Sequence, residues 1–172
     1  MSVLVDLDGE PPKDIAHFIH QMVLGFGQLE YLLALTMKRC QPTMSVPQAL
    51  EKARKLWRFQ SLAKEAEWMF SIQATDQHRE GELKALLEKA HELKSIRDKV
   101  VHGLWCRDPR INEWQWIYRG VKEKYSIENF ESWTLDLRSI IIGINEITRP
   151  GFLNSASPMF DPKFADLTEI LE

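Results

Sequence analysis

The side chains of this sequence that could hold a metal, move a proton or neutralise an anion are few, and their spacing sorts them. "EKAH" at 88–91 and "DIAH" at 14–17 have the carboxylate-x-x-histidine spacing of a metal site in a helical bundle. Such a site asks for that pair on two helices and a glutamate on two others. On a helical wheel centred on Ala90, Glu88 falls about 160° from the apolar stripe and faces water. His91 is off-centre as well, so no bundle-core metal is expected. His17 and His20 lie three apart without a cysteine or third histidine nearby, which reads as an exposed pair. His78 reads as surface. The sequence has no Gly-x-Ser-x-Gly, phosphate-cradling glycine loop or dinucleotide fingerprint. Neither a metal nor a cofactor is expected.

The informative stretch is "IRDKVVHGLW", residues 96–105. On the same wheel Arg97 lies about 20° from the stripe centre, among Leu93, Val100, Val101 and Leu104. A guanidinium buried there without a partner would be strongly destabilising. Arg97 is therefore either bridged to an acid such as Glu30, which flanks the apolar face of the first helix, or faced by something wet and acidic. His102 follows five residues later, rotated about 140° from Arg97 on a regular helix. The two side chains do not share a face unless the helix distorts before Gly103 or two copies combine.

The elements that must position these residues are helical. Ile15, Phe18, Ile19, Met22, Phe26, Leu29, Leu33 and Met37 recur at three-and-four spacing, giving a first helix from about 12–14 to Cys40. Gly25 and Gly27 within it are read as allowing close helix approach. Ser45, Pro47 and Gln48 resemble a capping box opening a second helix that turns Ala49, Ala53, Leu56, Trp57, Ala63, Ala66 and Phe70 inward. Thr75 or Asp76 caps a third, striped by Leu83, Leu86, Leu87, Ala90, Leu93, Val100, Val101 and Leu104. Gly103 stands where a helix-stopping glycine belongs. "DPRIN" at 108–112 then reads as a turn. "EWQWIYR" at 113–119 alternates Trp114, Trp116 and Tyr118 on one side, and a partner strand follows Gly120. Those aromatics suit base stacking, yet packing onto the helices is the simpler use. Ser126 caps a fourth helix with Ile127, Phe130, Trp133, Leu137, Ile140, Ile141, Ile144 and Ile147 inward, ended by "RPG" at 149–151. The expected fold is mainly α: an antiparallel four-helix bundle with a small β-hairpin or three-stranded ribbon between helices 3 and 4 and a short C-terminal helix. The whole chain, 1–172, is read as one domain, with 1–12 and 150–160 extended or loose.

With 172 residues, 44% hydrophobic and 27% charged, the composition is that of an ordinary globular protein. Cys40 and Cys106 form neither a disulfide framework nor a metal knuckle, which points to a reducing, cytoplasmic setting. "MSVLVDLDGEPPKD" lacks the features of a signal peptide, and "SIIIGI" at 139–144 is too short to span a membrane. The net charge of −3 gives no general attraction to polyanions, but basic residues are concentrated locally. Residues 51–64 carry Lys52, Arg54, Lys55, Arg58 and Lys64 against Glu51, and residues 94–110 carry Lys94, Arg97, Lys99, Arg107 and Arg110 against Asp98 and Asp108.

Arg97, the polar Asp98, three further residues and His102, late in a bundle helix, resemble the Arg-x(4–6)-His motif of the HEPN ribonucleases. The resemblance covers six residues and an all-helical context. It implies a homodimer whose paired helices bring two motifs into one cleft, and a metal-independent endoribonuclease of toxin–antitoxin or phage-defence type. Attack of the RNA 2′-OH would then use His102 for proton transfer and Arg97 against charge growing on phosphate. Asp98 would orient either one and Lys99 would contact backbone phosphate. Lys94, Arg107 and Arg110 would add RNA contacts. RNA and a cognate antitoxin or partner protein are the implied partners. The alternative is a non-catalytic HEPN-like dimeric module that binds RNA, a nucleotide or a protein. A sub-class of the family transfers nucleotides to a tyrosine two positions after the histidine; Leu104 stands there, so tyrosine modification is not expected.

Overall fold

The computed structural model describes residues 13–74, 76–108, 113–124 and 126–149. The predicted C-terminal helix and both loose ends lie outside them. The described chain is mainly helical: α1 (Lys13–Cys40), α2 (Val46–Leu56), α3 (Phe59–Gln73), α4 (Gln77–His102) and α5 (Ile127–Ile147). Between α4 and α5 lies a small antiparallel sheet of β1 (Leu104–Asp108), β2 (Glu113–Tyr118) and β3 (Val121–Glu123), in the order β1-β2-β3. None of the described helices is long and apolar enough to cross a membrane.

Local chemistry accounts for the element starts. The Ser45 hydroxyl accepts from the Gln48 N–H while the Gln48 side chain accepts from the Ser45 N–H, closing the capping box of α2. Asp76 accepts from the His78 N–H at 2.8 Å, and Ser126 and Asn129 exchange the same reciprocal pair at the start of α5.

One expected helix is two. The chain breaks at Trp57, whose backbone sits at φ 20° and ψ −25°, and restarts at Phe59. On an uninterrupted helix Ala49 would point about 90° away from the stripe of Phe59, Leu62, Ala66 and Phe70. The break brings both faces inward and leaves Trp57, expected to be buried, 77% exposed. Two further expectations fail at the end of α4. Val101 is exposed, and Leu104 is not helical but opens β1, where strand alternation sends it outward and Trp105 inward. Ile127, at the first position of α5, is exposed as well.

The chain divides into two compact units. The first comprises 1–26 and 92–138, the second 27–91 and 139–172. The core of the first is aromatic. Ile15, Met22, Val100, Trp105, Trp116 and Phe130 are buried together, with Phe18, Ile19, Ile96, Tyr118 and Trp133 packed against them. Phe130 lies at its centre, with ring centroids 5.1 Å from Trp133, 6.1 Å from Trp105 and 6.4 Å from Phe18. The β1–β2 register pairs Trp105 with Trp116, and Trp116 stacks on Tyr118 at 5.7 Å. Trp116 therefore serves packing rather than base stacking. The Trp114 side chain lies outside the described residues.

Gly103 has a different role from the one expected. Its φ is not in the left-handed region; among the described glycines only Gly120 has that conformation. A Cβ at Gly103 would overlap the indole of Trp116. The glycine is there for clearance, because the buried ring rests against its backbone. Gly25 also permits a close approach, its missing Cβ lying 2.6 Å from Leu137 Cδ2, whereas Gly27 opens onto empty space.

In the second unit, six consecutive residues of α1, Leu32 to Met37, are buried, so this half of the helix is covered all round. Arg39 emerges from it and donates to Thr148 Oγ1 at 2.8 Å and Asn145 Oδ1 at 2.9 Å on α5 and its last turn. Burial, with Arg149 adding repulsion, lowers the Arg39 guanidinium to about 10. Burial likewise pushes the Cys40 thiol up to about 12. Gly143 packs beneath Leu86, its missing Cβ 2.9 Å from Leu86 Cδ1.

Two outcomes follow for stability. In thermal denaturation Gly27→Ala should gain up to about 1 kcal/mol, the helix propensity of alanine over glycine in open space, whereas Gly103→Ala should lose about 1–3 kcal/mol through overpacking. The Cys40 thiol is raised in the folded state, so the folded protein keeps a proton that the unfolded chain releases. The stability associated with Cys40 is complete below the ordinary thiol value of 9.0 and is lost as pH rises towards 12. Urea unfolding at pH 7 and 10 should show the native protein losing about 1.4 kcal/mol more than Cys40→Ala over that interval.

Candidate functional site

The residues singled out around 97–102 fall in the first unit, on the last turns of α4. Three of them form one cluster. Arg97 Nη1 donates to Asp98 Oδ1 at 2.8 Å, and Lys94 Nζ pairs with the other carboxylate oxygen, Asp98 Oδ2. Two cations share one carboxylate, so the cluster keeps one positive charge. Their positions follow from helical spacing, since Lys94 and Asp98 are four apart and meet along the helix surface.

The Arg97 guanidinium also lies over the Phe26 ring of α1, with Cζ 5.4 Å from the ring centroid. Its side chain is 22% exposed. Nε is buried and makes no hydrogen bond among the described residues. Such a donor is expensive to leave unmade, so Arg97 is held in place with hydrogen-bonding capacity to spare. Here the sequence expectation needed a neighbour for Arg97. The neighbour that the structure supplies is Asp98, the adjacent residue. Glu30 belongs to the second unit.

Lys99 is turned towards the sheet, with Nζ 3.6 Å from Glu123 Oε1 on β3. His102 is exposed at the last position of α4 and makes no hydrogen bond or ion pair among the described residues. α4 stays α-helical through His102, so no helix distortion brings it to the side of Arg97. Arg107 lies on β1, but its side chain, like all of Arg110, falls outside the described residues.

The other candidates stay separate. Glu88 and His91 are exposed, as the wheel requires. His17 Nε2 lies 2.9 Å from Gln21 Nε2 and its ring is edge-on to Phe18, and His78 lies 3.3 Å from Glu82 on the surface of α4. Among the described residues no three His, Cys, Asp or Glu side chains gather as metal ligands would.

Two contacts were not anticipated. Phe26 was visible as a core position, but its ring under a cation was not, because that depends on how α1 meets α4. Glu123 lies on a three-residue strand too short to announce a register. Comparison with protein-family models, with curated proteins and with solved structures found no match.

The arrangement offers an anchored cation with spare donors and an exposed imidazole five residues on. A double-mutant cycle of Arg97→Met and Asp98→Ala in urea denaturation should give a coupling of about 1 kcal/mol. A coupling indistinguishable from zero would mean that Asp98 does not hold Arg97.

Proposed function

We propose that this chain is a HEPN-like endoribonuclease, an antiparallel helical bundle that pairs with a second copy and cleaves RNA at a composite cleft. The observation that carries this reading is the state of Arg97: anchored by Asp98 and Phe26, yet with a buried Nε that has no acceptor among the described residues. A fixed, partly exposed guanidinium whose cluster keeps net positive charge suits a phosphate whose charge grows during reaction. His102, exposed on the next turn, supplies proton transfer. Because α4 is regular through His102, the partner copy's histidine, rather than the same chain's, completes the site around each Arg97.

In the proposed step the 2′-oxygen attacks phosphorus as its proton passes to one imidazole. The bond to the 5′-oxygen breaks and that oxygen takes up a proton, leaving a 2′,3′-cyclic phosphate. The step uses no metal. Asp98 holds Arg97, Lys94 keeps the cluster cationic, and Lys99, Arg107 and Arg110 serve the RNA backbone. A toxin or phage-defence setting, in the cytoplasm, is the context in which such an activity belongs.

The second reading, a non-catalytic dimeric module, is favoured by one observation: the charge of Arg97 is already partly neutralised by Asp98. Incubating RNA with the purified protein in EDTA separates the two. Cleavage with cyclic-phosphate ends, falling at least about a hundredfold in Arg97→Ala and His102→Ala, supports the enzyme. Cleavage unchanged in both variants excludes this site. RNA bound but left intact, with binding indifferent to His102→Ala, selects the second reading.

A further inference from the structure

The second unit carries a groove that plays no part in the site above. It is open to solvent, encloses about 430 Å³ and is lined by Glu30, Tyr31, Leu50, Arg54, Trp57 and Arg58, over a floor of Phe59 and Leu62. This volume lies within the range of small-ligand sites. Three features set it apart from an ordinary crease between helices.

The first is Trp57. The chain leaves the helical region here, at φ 20°, and presents the indole to solvent at 77% exposure. A large aromatic ring held out by an unusual backbone conformation, with Tyr31 exposed in the same groove, makes a stacking platform.

The second is charge. Of the basic residues concentrated in 51–64, Lys52 is paired with Glu65 and Lys55 with Glu51. Arg54 and Arg58 make no ion pair among the described residues, and both line the groove. The Arg58 guanidinium lies over the Trp57 ring, 4.7 Å from its centroid, so a cation caps one face of the indole and a base would stack on the other.

The third is Glu30. Its carboxylate is half-buried in this wall and makes no hydrogen bond or ion pair among the described residues. An acid disfavours a ligand that is only anionic, such as an acidic peptide. It favours one that also offers hydroxyl or amino donors.

A flat aromatic ring, a phosphate and a hydroxylated or amino-bearing portion in one molecule define a nucleotide. We propose that this groove is a nucleotide site, with the base stacked on Trp57, the phosphate held by Arg54 and Arg58, and Glu30 accepting from the ribose hydroxyls or a base amino group. The ligand is either a free nucleotide or one residue of a single-stranded RNA; the recognition chemistry is the same. The site does not depend on the cleavage reading.

The test titrates the full-length protein with AMP, with a fluorescein-labelled hexaadenylate and with inorganic phosphate, following calorimetry or anisotropy. Saturable AMP binding that weakens about tenfold in Trp57→Ala and in Arg58→Ala, and measurably in Glu30→Gln, supports a free-nucleotide site. Hexaadenylate binding with the same sensitivities, and no response to millimolar AMP, assigns the groove to an RNA strand. All three residues are at least partly exposed, and unchanged melting temperatures check that the variants fold. AMP binding is read without RNA and cleavage is read without AMP, so loss of groove binding and loss of cleavage are separable. The proposal is overturned if neither probe binds, if inorganic phosphate competes as well as AMP, or if Trp57→Ala binds normally.

Discussion

The seat of the Trp116 indole against Gly103 governs the first unit. A ring of that size, almost completely buried, tolerates no side chain beneath it, so the chain must pass through glycine there. The glycine that meets this requirement stands between the end of α4 at His102 and the start of β1 at Leu104. Strand alternation then turns Trp105 inward against Phe130, and pairing places it opposite Trp116. The clearance at Gly103 and the alternation of β1 together seat the two indoles on the buried face of the sheet.

The two arginines held by the helices show two ways of placing a guanidinium in a protein interior. Arg39 donates to neutral oxygens of Thr148 and Asn145, and its pKa falls because desolvation, with repulsion from Arg149, outweighs the opposing influence of Cys40. Arg97 has a carboxylate partner and an aromatic face, but that carboxylate is shared with Lys94. The first arrangement joins two helices through neutral acceptors. The second leaves net positive charge on a partly exposed guanidinium, five residues before an exposed imidazole on another face of the helix, which is what draws the functional reading to it.

What could be read from the sequence divides along physical lines. The mainly helical character, the small sheet, the caps at Ser45 and Ser126 and the stripe on α1 rest on short-range periodicity and capping chemistry, and these were legible. The break at Trp57 was not, because no glycine or proline marks it; it arises from a mismatch in phase between the buried faces of α2 and α3. Gly103 was rightly placed at a helix end but for the wrong reason, since the clash with Trp116 is a long-range contact. The wheel correctly found that Arg97 required a partner. It left open a bridge to an acid such as Glu30 or a wet, acidic surrounding; that the adjacent Asp98 pairs with it depends on a side-chain conformation that helical spacing does not reveal.

The Arg39 hydrogen bonds have a consequence for the order in which the chain can fold. The guanidinium and its acceptor on Thr148 are 109 positions apart in sequence. A nascent chain that has made α1 through α4 has Arg39 but none of the groups that satisfy it. Closing a loop of that length brings a large entropic penalty before any contact rewards it. The second unit therefore cannot settle until the last turn of α5 has emerged from the ribosome. The three sheet strands, close together in sequence, face no such wait.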